Sequence, residues 1–286
     1  MTKKVAIISD STGCLTEDIT KKYDIFTSYL MIIFGNESYQ EFKEITPDKF
    51  IELTNAQSEL PSTSQPSIGL TVELYEKILA DGYDEIVHIT ISSALSGSYQ
   101  SAVSASNMVD ENKIHIFDSK TVAYPQGALA VEAAKMANSG KDSAEILANL
   151  EKLKNEVSLY AGIYDMTNLR KGGRVSHAKA LLGSLMNVKP LITVTENGDI
   201  QPAGKVRTFK KVIGALVEKV QEAKLTEEDY EIGVMHIGNP EAAEQLKAEI
   251  RAIYPNITIN DRPLSLVVAV HAGEGACAIS WIKTNV

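Results

Sequence analysis

Hydroxyl side chains crowd at a few points of this chain. The densest group, Ser92-Ser93-Ala94-Leu95-Ser96-Gly97-Ser98, follows directly on the β-branched run Ile86-Val87-His88-Ile89-Thr90-Ile91. A strand that feeds a helix through such a turn leaves the first helical amides unpaired, at the positive end of the helix dipole. That arrangement suits a phosphate or a carboxylate. Ser96 and Ser98 add donors, and Gly97 lets a ligand approach the backbone. An ordinary N-cap uses the same residues, because serine is a preferred cap. The turn alone leaves both readings open.

Five other places carry comparable chemistry. Ser9-Asp10-Ser11-Thr12-Gly13 closes the first apolar run, where Asp10 and Ser11 either wall a pocket or cap the next helix. Pro61-Ser62-Thr63-Ser64-Gln65-Pro66-Ser67 fixes Thr63 and Ser64 in a polar loop bounded by prolines, which lowers the entropy cost of presenting hydroxyls. Asp118-Ser119 ends a third apolar run. In Arg170-Lys171-Gly172-Gly173-Arg174, paired glycines between arginines suit either a close approach to an anion or a solvated turn between helices. His271-Ala272-Gly273 follows the last apolar run.

Several familiar chemistries find no support. There is no GxxxxGK[ST] phosphate loop, HExxH zinc helix or GxSxG nucleophile elbow. The five histidines form no ligand cluster, so no metal site is expected. Gly273-Glu274-Gly275-Ala276-Cys277-Ala278 has the lettering of a dinucleotide fingerprint but not the βα unit and acidic residue that should follow. Ser96 with His271 resembles a nucleophile and base, yet spacing identifies no acidic orienter.

The elements that must position these residues alternate in type. Strands are expected at Lys4–Ile8, Phe26–Phe34, Ile86–Ile91 and Lys113–Phe117, with helices at Leu15–Lys22, Pro47–Asn55, Leu70–Ala80, Gln126–Asn138 and Ser143–Asn155. Such alternation predicts an α/β fold with a Rossmann-like parallel sheet, helices on both faces and the Asp-Ser and Ser-rich turns along one edge. Ser158–Tyr164 opens a second, smaller α/β domain, giving divisions of 1–157 and 158–286, with exchange of segments between them left open. There, Asn197-Gly198 signals a hairpin between Lys189–Thr195 and Ile200–Val206, and Lys205, Arg207, Lys210 and Lys211 start an amphipathic helix that reaches Glu222. Glu231–Ile237, Pro240–Ile253 and Ile257–Asn260 form another α/β unit, and Leu264–Val270 reads as a last buried strand.

At 286 residues the chain suits two domains, and 44% hydrophobic with 23% charged content is that of a globular protein. A formal charge of -9 argues against nucleic-acid binding. The charge is uneven: nine Lys or Arg stand against three Asp or Glu between Asp165 and Lys211. That segment could meet an anionic partner or surface, or simply be solvated. Cys14 and Cys277 have no metal or redox spacing, and no signal peptide or spanning segment is read, so a cytoplasmic protein is expected.

Taken together, these residues resemble the DegV family of bacterial lipid-binding proteins. The resemblance rests on Ser9-Asp10-Ser11-Thr12, Thr63-Ser64-Gln65-Pro66-Ser67, the Ile91-to-Ala102 serine turn, Asp118-Ser119, Leu169-to-Ser176, Gly204-Lys205-Val206-Arg207-Thr208 and His271-Ala272-Gly273. Their order over nearly the whole chain makes it specific. Ser98 stands where threonine is usual, which keeps the hydroxyl.

The resemblance implies two α/β domains with a long-chain fatty acid between them and no cofactor or catalytic residue. It implies a carboxylate held by Thr63, Ser96 and His271, with Ser64 and the Gly97 amide beside them. Asp10, Ser11, Ser119 and Arg170 are further candidates for the pocket wall. A tail of ~16 methylenes at ~0.8 kcal/mol each supplies the apolar drive. Chain-length preference would depend on residues such as Met31, Ile33, Met166, Leu182 and Met186. The resemblance further implies a separate ATP-dependent fatty acid kinase protein that phosphorylates the bound acid for phospholipid synthesis. The basic segment with Arg170, Arg174, Lys205 and Arg207 would meet that kinase or, transiently, an anionic membrane surface. A serine-dependent acyl hydrolase and a lipid-responsive regulatory module are the alternatives.

Overall fold

A computed structural model describes residues 3–164, 166–174 and 188–284. Val175, Ser176, His177, Leu182 and Met186 lie outside the described residues, as does the side chain of Met166.

Short β-branched runs followed by polar turns make the strands of the first half, and longer stretches with helical spacing make its helices. In chain order these are β1 (Val5–Asp10), α1 (Glu17–Tyr23), β2 (Ile25–Ser28), β3 (Met31–Phe34), β4 (Glu37–Gln40), α2 (Pro47–Ala56), β5 (Ser62–Ser64), α3 (Ile68–Ala80), β6 (Glu85–Thr90), α4 (Ser98–Val109), β7 (Ile114–Asp118), α5 (Tyr124–Asn138) and α6 (Ser143–Leu153). The rest of the chain runs through β8 (Val157–Gly162), α7 (Met166–Gly172), β9 (Lys189–Val194), β10 (Ile200–Val206), α8 (Lys210–Ala223), β11 (Tyr230–His236), α9 (Pro240–Ile253), β12 (Thr258–Pro263), α10 (Leu266–Ala272) and β13 (Cys277–Lys283).

The first sheet is parallel throughout, in the order β2-β1-β6-β7. Because β1, β6 and β7 are neighbours, their polar ends share one edge, as the sequence predicts. Asp10 Oδ2 accepts from the Ile91 amide at 2.7 Å and Asp118 Oδ1 from the Ser93 amide at 3.1 Å. The second sheet, β10-β9-β8-β13-β11-β12, is antiparallel except for the pair β11 and β12. A small antiparallel sheet, β4-β3-β5, completes the architecture.

α5 packs against both larger sheets. Its sequence explains how: Gly127, Ala128, Ala130, Ala133 and Ala134 are all buried, so backbone can approach from either side. Gly127 is required outright, since a Cβ there would overlap the Gly13 carbonyl oxygen. One apolar core therefore runs from Ile7 in the first sheet to Ile282 in the second.

Two expected strands differ from those observed, and some observed elements are not among those expected. Phe26–Phe34 is not one strand but two: β2 joins the parallel sheet and β3 the small one. The chain bends between them where the Leu30 amide donates to Ser11 Oγ at 2.9 Å and Leu30 itself is buried. Leu264–Val270 is not a strand, because Ser265 caps a helix by accepting from the Val268 amide and Gly273 ends it with φ +79°. A continuous apolar run serves a buried helix as well as a buried strand, and here the caps decide. β4, α7 and the central strand β13 have no counterpart among the expected elements, and the stretch expected as a polar loop places Ser62–Ser64 on β5, where pairing with β3 makes it regular. In addition, Lys205 lies on β10 and Arg207 precedes α8, so neither belongs to the amphipathic helix.

α6 illustrates local capping. Asp142 Oδ1 accepts from the Glu145 amide at 2.9 Å, and Glu145 Oε2 accepts from the Asp142 amide at 3.2 Å. Asp142→Ala should cost about 1 kcal/mol. Urea unfolding at fixed pH measures this, and an unmoved midpoint would show the reciprocal cap to be redundant.

Candidate functional site

β5 pairs with β3 in the register Ile32↔Thr63, which aims Thr63 toward α10. There, in the last helical turn, His271 Nε2 meets Thr63 Oγ1 at 2.9 Å. The serine turn supplies a second wall. Ser96 Oγ accepts from the Ser98 amide at 3.2 Å and shares a hydrogen bond with Ser98 Oγ at 2.9 Å, just before α4, whose N-cap residue is Gly97. A third side comes from the Gly-Gly turn. Arg174 donates through Nε to the Leu95 carbonyl at 3.3 Å and through Nη1 to the Gly172 carbonyl at 2.6 Å.

Thr63, Ser64, Ser96, Arg174 and His271 line one chamber, with Gln65 at its rim. Leu30, Ile91, Val267 and other apolar side chains close it. Val122, Ile200, Val268 and His271 also border a neighbouring, almost wholly apolar channel beneath the second sheet, bounded by residues such as Leu159, Ile192 and Ala278. The outer end of the chamber opens, past Thr63, Arg174 and His271, to a surface cleft flanked by Glu59, Asn168 and Lys171. A polar head beside a dry channel is the shape of a site for an amphiphile with an anionic end.

Burial, with the Arg174 guanidinium beside it, holds the His271 imidazole down at about 4. His271 is therefore neutral at pH 7. Its Nδ1 is buried without a hydrogen-bond partner among the described residues. A proton on Nε2 leaves only an acceptor unpaired, whereas a proton on Nδ1 would strand a donor, so we assign the Nε2–H tautomer. The chamber thus offers three hydroxyls and a neutral imidazole N–H, and its positive charge comes from Arg174.

α7 and α10 pack together, and the Asn168 side-chain amide ties them by donating to the Val270 carbonyl at 3.0 Å. Gly172 lies against the His271 ring so closely that a Cβ would overlap Nδ1 and stand 3.0 Å from Cε1. This explains the first glycine of the pair. Neither Asn168 nor Gly172 announces this role in the sequence, because contact with His271 is made only by the fold.

The other expected residues fall elsewhere. Asp10 and Ser11 are buried, and they border a separate cleft with Thr16, Tyr29 and Phe42. Burial raises the Asp10 carboxyl, offset by hydrogen bonds from Thr12, the Ile91 amide and Gln126. Ser119 is buried and donates to the Thr121 carbonyl at 3.2 Å, which shapes the β7 turn. Arg170, Lys205 and Arg207 are exposed, outside the chamber, whereas Arg174 belongs to its wall. Among the described residues no helix is long and apolar enough to cross a membrane.

A family model described as "Uncharacterised protein, DegV family" matches residues 4–284. Protein DegV of Bacillus subtilis is 35% identical over 278 residues, 97% of this chain and 98% of the relative. A DegV domain-containing protein of Halalkalibacterium halodurans is 34% identical over the same span and coverage. The crystal structure of DegV from Bacillus subtilis, described as a fatty acid binding protein, has a TM-score of 0.90 at 34% identity, covering 99% of this chain and 100% of that one. A fatty acid binding DegV family protein from Streptococcus agalactiae also gives 0.90, at 29% identity and with the same two coverages. With its fold, its motifs and nearly its whole length matched, the chain belongs to the DegV family.

Proposed function

We propose that the protein is a fatty-acid carrier that shields the acyl chain in the apolar channel and holds the carboxylate in the chamber of Thr63, Ser96, Arg174 and His271. The observation that carries this reading is the adjacency of the two spaces: Val122, Ile200, Val268 and His271 border both. Solved relatives described as fatty acid binding proteins support it. The outer cleft beside Lys171 gives a route by which a separate ATP-dependent kinase reaches the carboxylate and converts it to an acyl phosphate for phospholipid synthesis. Exposed Arg170, Lys205 and Arg207 supply basic groups for that kinase or for an anionic membrane surface.

A hydrolase needs Ser96 activated by His271. Here the imidazole bonds Thr63, Ser96 bonds Ser98, and His271 Nδ1 has no acidic orienter among the described residues. These bonds favour the carrier.

Mass spectrometry of the gently purified protein, followed by titration of the delipidated form, tests the reading. A fatty acid at one per chain is expected. Thr63→Ala should weaken binding about tenfold and the pair with Ser96→Ala about a hundredfold, as lost hydrogen bonds to a charged group. A protein that neither carries nor takes up any fatty acid would sink the proposal. Adding a fatty acid kinase and ATP should then give an acyl phosphate from the loaded protein only.

A further inference from the structure

Glu41 follows β4 on the small sheet and is fully buried. Its amide donates to the Leu30 carbonyl at 3.1 Å. One carboxylate oxygen accepts from the Ser11 hydroxyl at 2.6 Å; the other accepts from the Ser265 hydroxyl at 2.7 Å and the Val267 amide at 3.1 Å. The Val267 amide can only donate there, and the two hydroxyls donate to the ionised acid. Ser11 Oγ is already accepting from the Leu30 amide and Ser265 Oγ from the Val268 amide, so each hydroxyl turns its proton toward Glu41. An acidic side chain is the natural acceptor for three converging donors.

The geometry of the small sheet gives this cluster a purpose. Glu41 reaches the first turn of α10 from the end of β4, and Thr63 reaches the last turn from β5, with β3 between them. The sheet therefore holds the seven-residue helix at both ends. A helix this short has little intrinsic stability and keeps its place through its contacts.

We infer that Glu41 is a positioning residue for the head-group chamber: it anchors the start of α10 so that His271, at its far end, stands against Thr63. Glu41 touches no ligand and acts through the helix. The inference rests on the carrier reading for its effect on affinity, but not for its effect on the imidazole.

The test compares Glu41→Ala, Glu41→Gln and Ser265→Ala with the parent chain. Each is titrated with a fluorescent fatty acid, and the His271 imidazole resonances are recorded by NMR without ligand. Glu41→Ala removes every acceptor, so affinity should fall about tenfold and the His271 resonances should shift or broaden. Glu41→Gln keeps an oxygen for Ser265 and Val267 and should recover most of the affinity. Ser265→Ala cuts one link and decides the matter should Glu41→Ala fail to fold. A folded Glu41→Ala or Ser265→Ala chain with parental affinity and unmoved His271 resonances would overturn the inference. If the parent itself binds no fatty acid, the carrier reading fails, and the His271 resonances still decide the role of Glu41.

Discussion

Replacing Gly172 by alanine is expected to weaken fatty-acid binding by about tenfold or more, the worth of one hydrogen bond to a charged group, while the melting temperature moves little. The added methyl overlaps His271 Nδ1, so either the ring or α7 must give. α7 is not free to retreat, since Asn168 ties it to the Val270 carbonyl and Arg174 ties the following turn to the Leu95 carbonyl. The ring swings away from Thr63 instead. Gly173 provides the control: it has φ +71° and an added methyl there would meet nothing within 4 Å. Gly173→Ala should therefore cost about 1 kcal/mol of stability for its left-handed backbone and leave affinity alone. Parallel titrations and thermal melts check both. Parental affinity in Gly172→Ala would show that the close packing on His271 has no part in binding.

Acidification should drain stability through two histidines. Burial holds His88 at about 3 and, with Arg174, His271 at about 4, both below an ordinary 6.5. The unfolded chain therefore binds protons that the native chain refuses. The stabilisation is fully present above pH 6.5 and is lost as pH falls through that value toward the folded values. At about 1.4 kcal/mol per unit, each histidine contributes on the order of 3 kcal/mol or more by the bottom of its window. Glu41 works in the opposite direction. Burial raises its carboxyl to about 7 from 4.5, so its contribution is present below 4.5 and is lost as pH rises through 7. Between about pH 7 and 4 the raised Asp10 carboxyl adds to the side of Glu41 and the depressed His236 to that of the histidines, so the share of His88 is read as the difference between variant and parent. Urea unfolding across that range should show it, and His88→Gln should flatten the curve. An equally steep curve in His88→Gln would mean that this imidazole is not held neutral; its complete burial is the reason to expect that it is.

β1, β6 and β7 of the parallel sheet are legible because each is a β-branched run that stops at a polar turn, so that period and punctuation agree; β2 is not, since the apolar run continues past it into β3. The helix of His271 is hidden for want of period: seven consecutive residues with few polar ones fit either element, and only Ser265 and Gly273 at its ends speak for a helix. In the site, Thr63 and His271 are 208 positions apart, so no spacing rule joins them; the family resemblance names them. Glu41 carries no signal at all. It lies in a polar stretch that looks like surface, and its burial is created by Ser265, 224 positions away.

α5 belongs to both large sheets, and that has a consequence for traffic through the channel. Swinging the two halves apart would strip buried Ala128, Leu129 and Ala133 from one side or the other and wet the core along its whole length. The halves are therefore riveted rather than hinged. If the protein carries a fatty acid as proposed, the acyl chain would enter or leave by local parting of the rim beside Thr63 and Arg174, while the keel of the molecule stays shut.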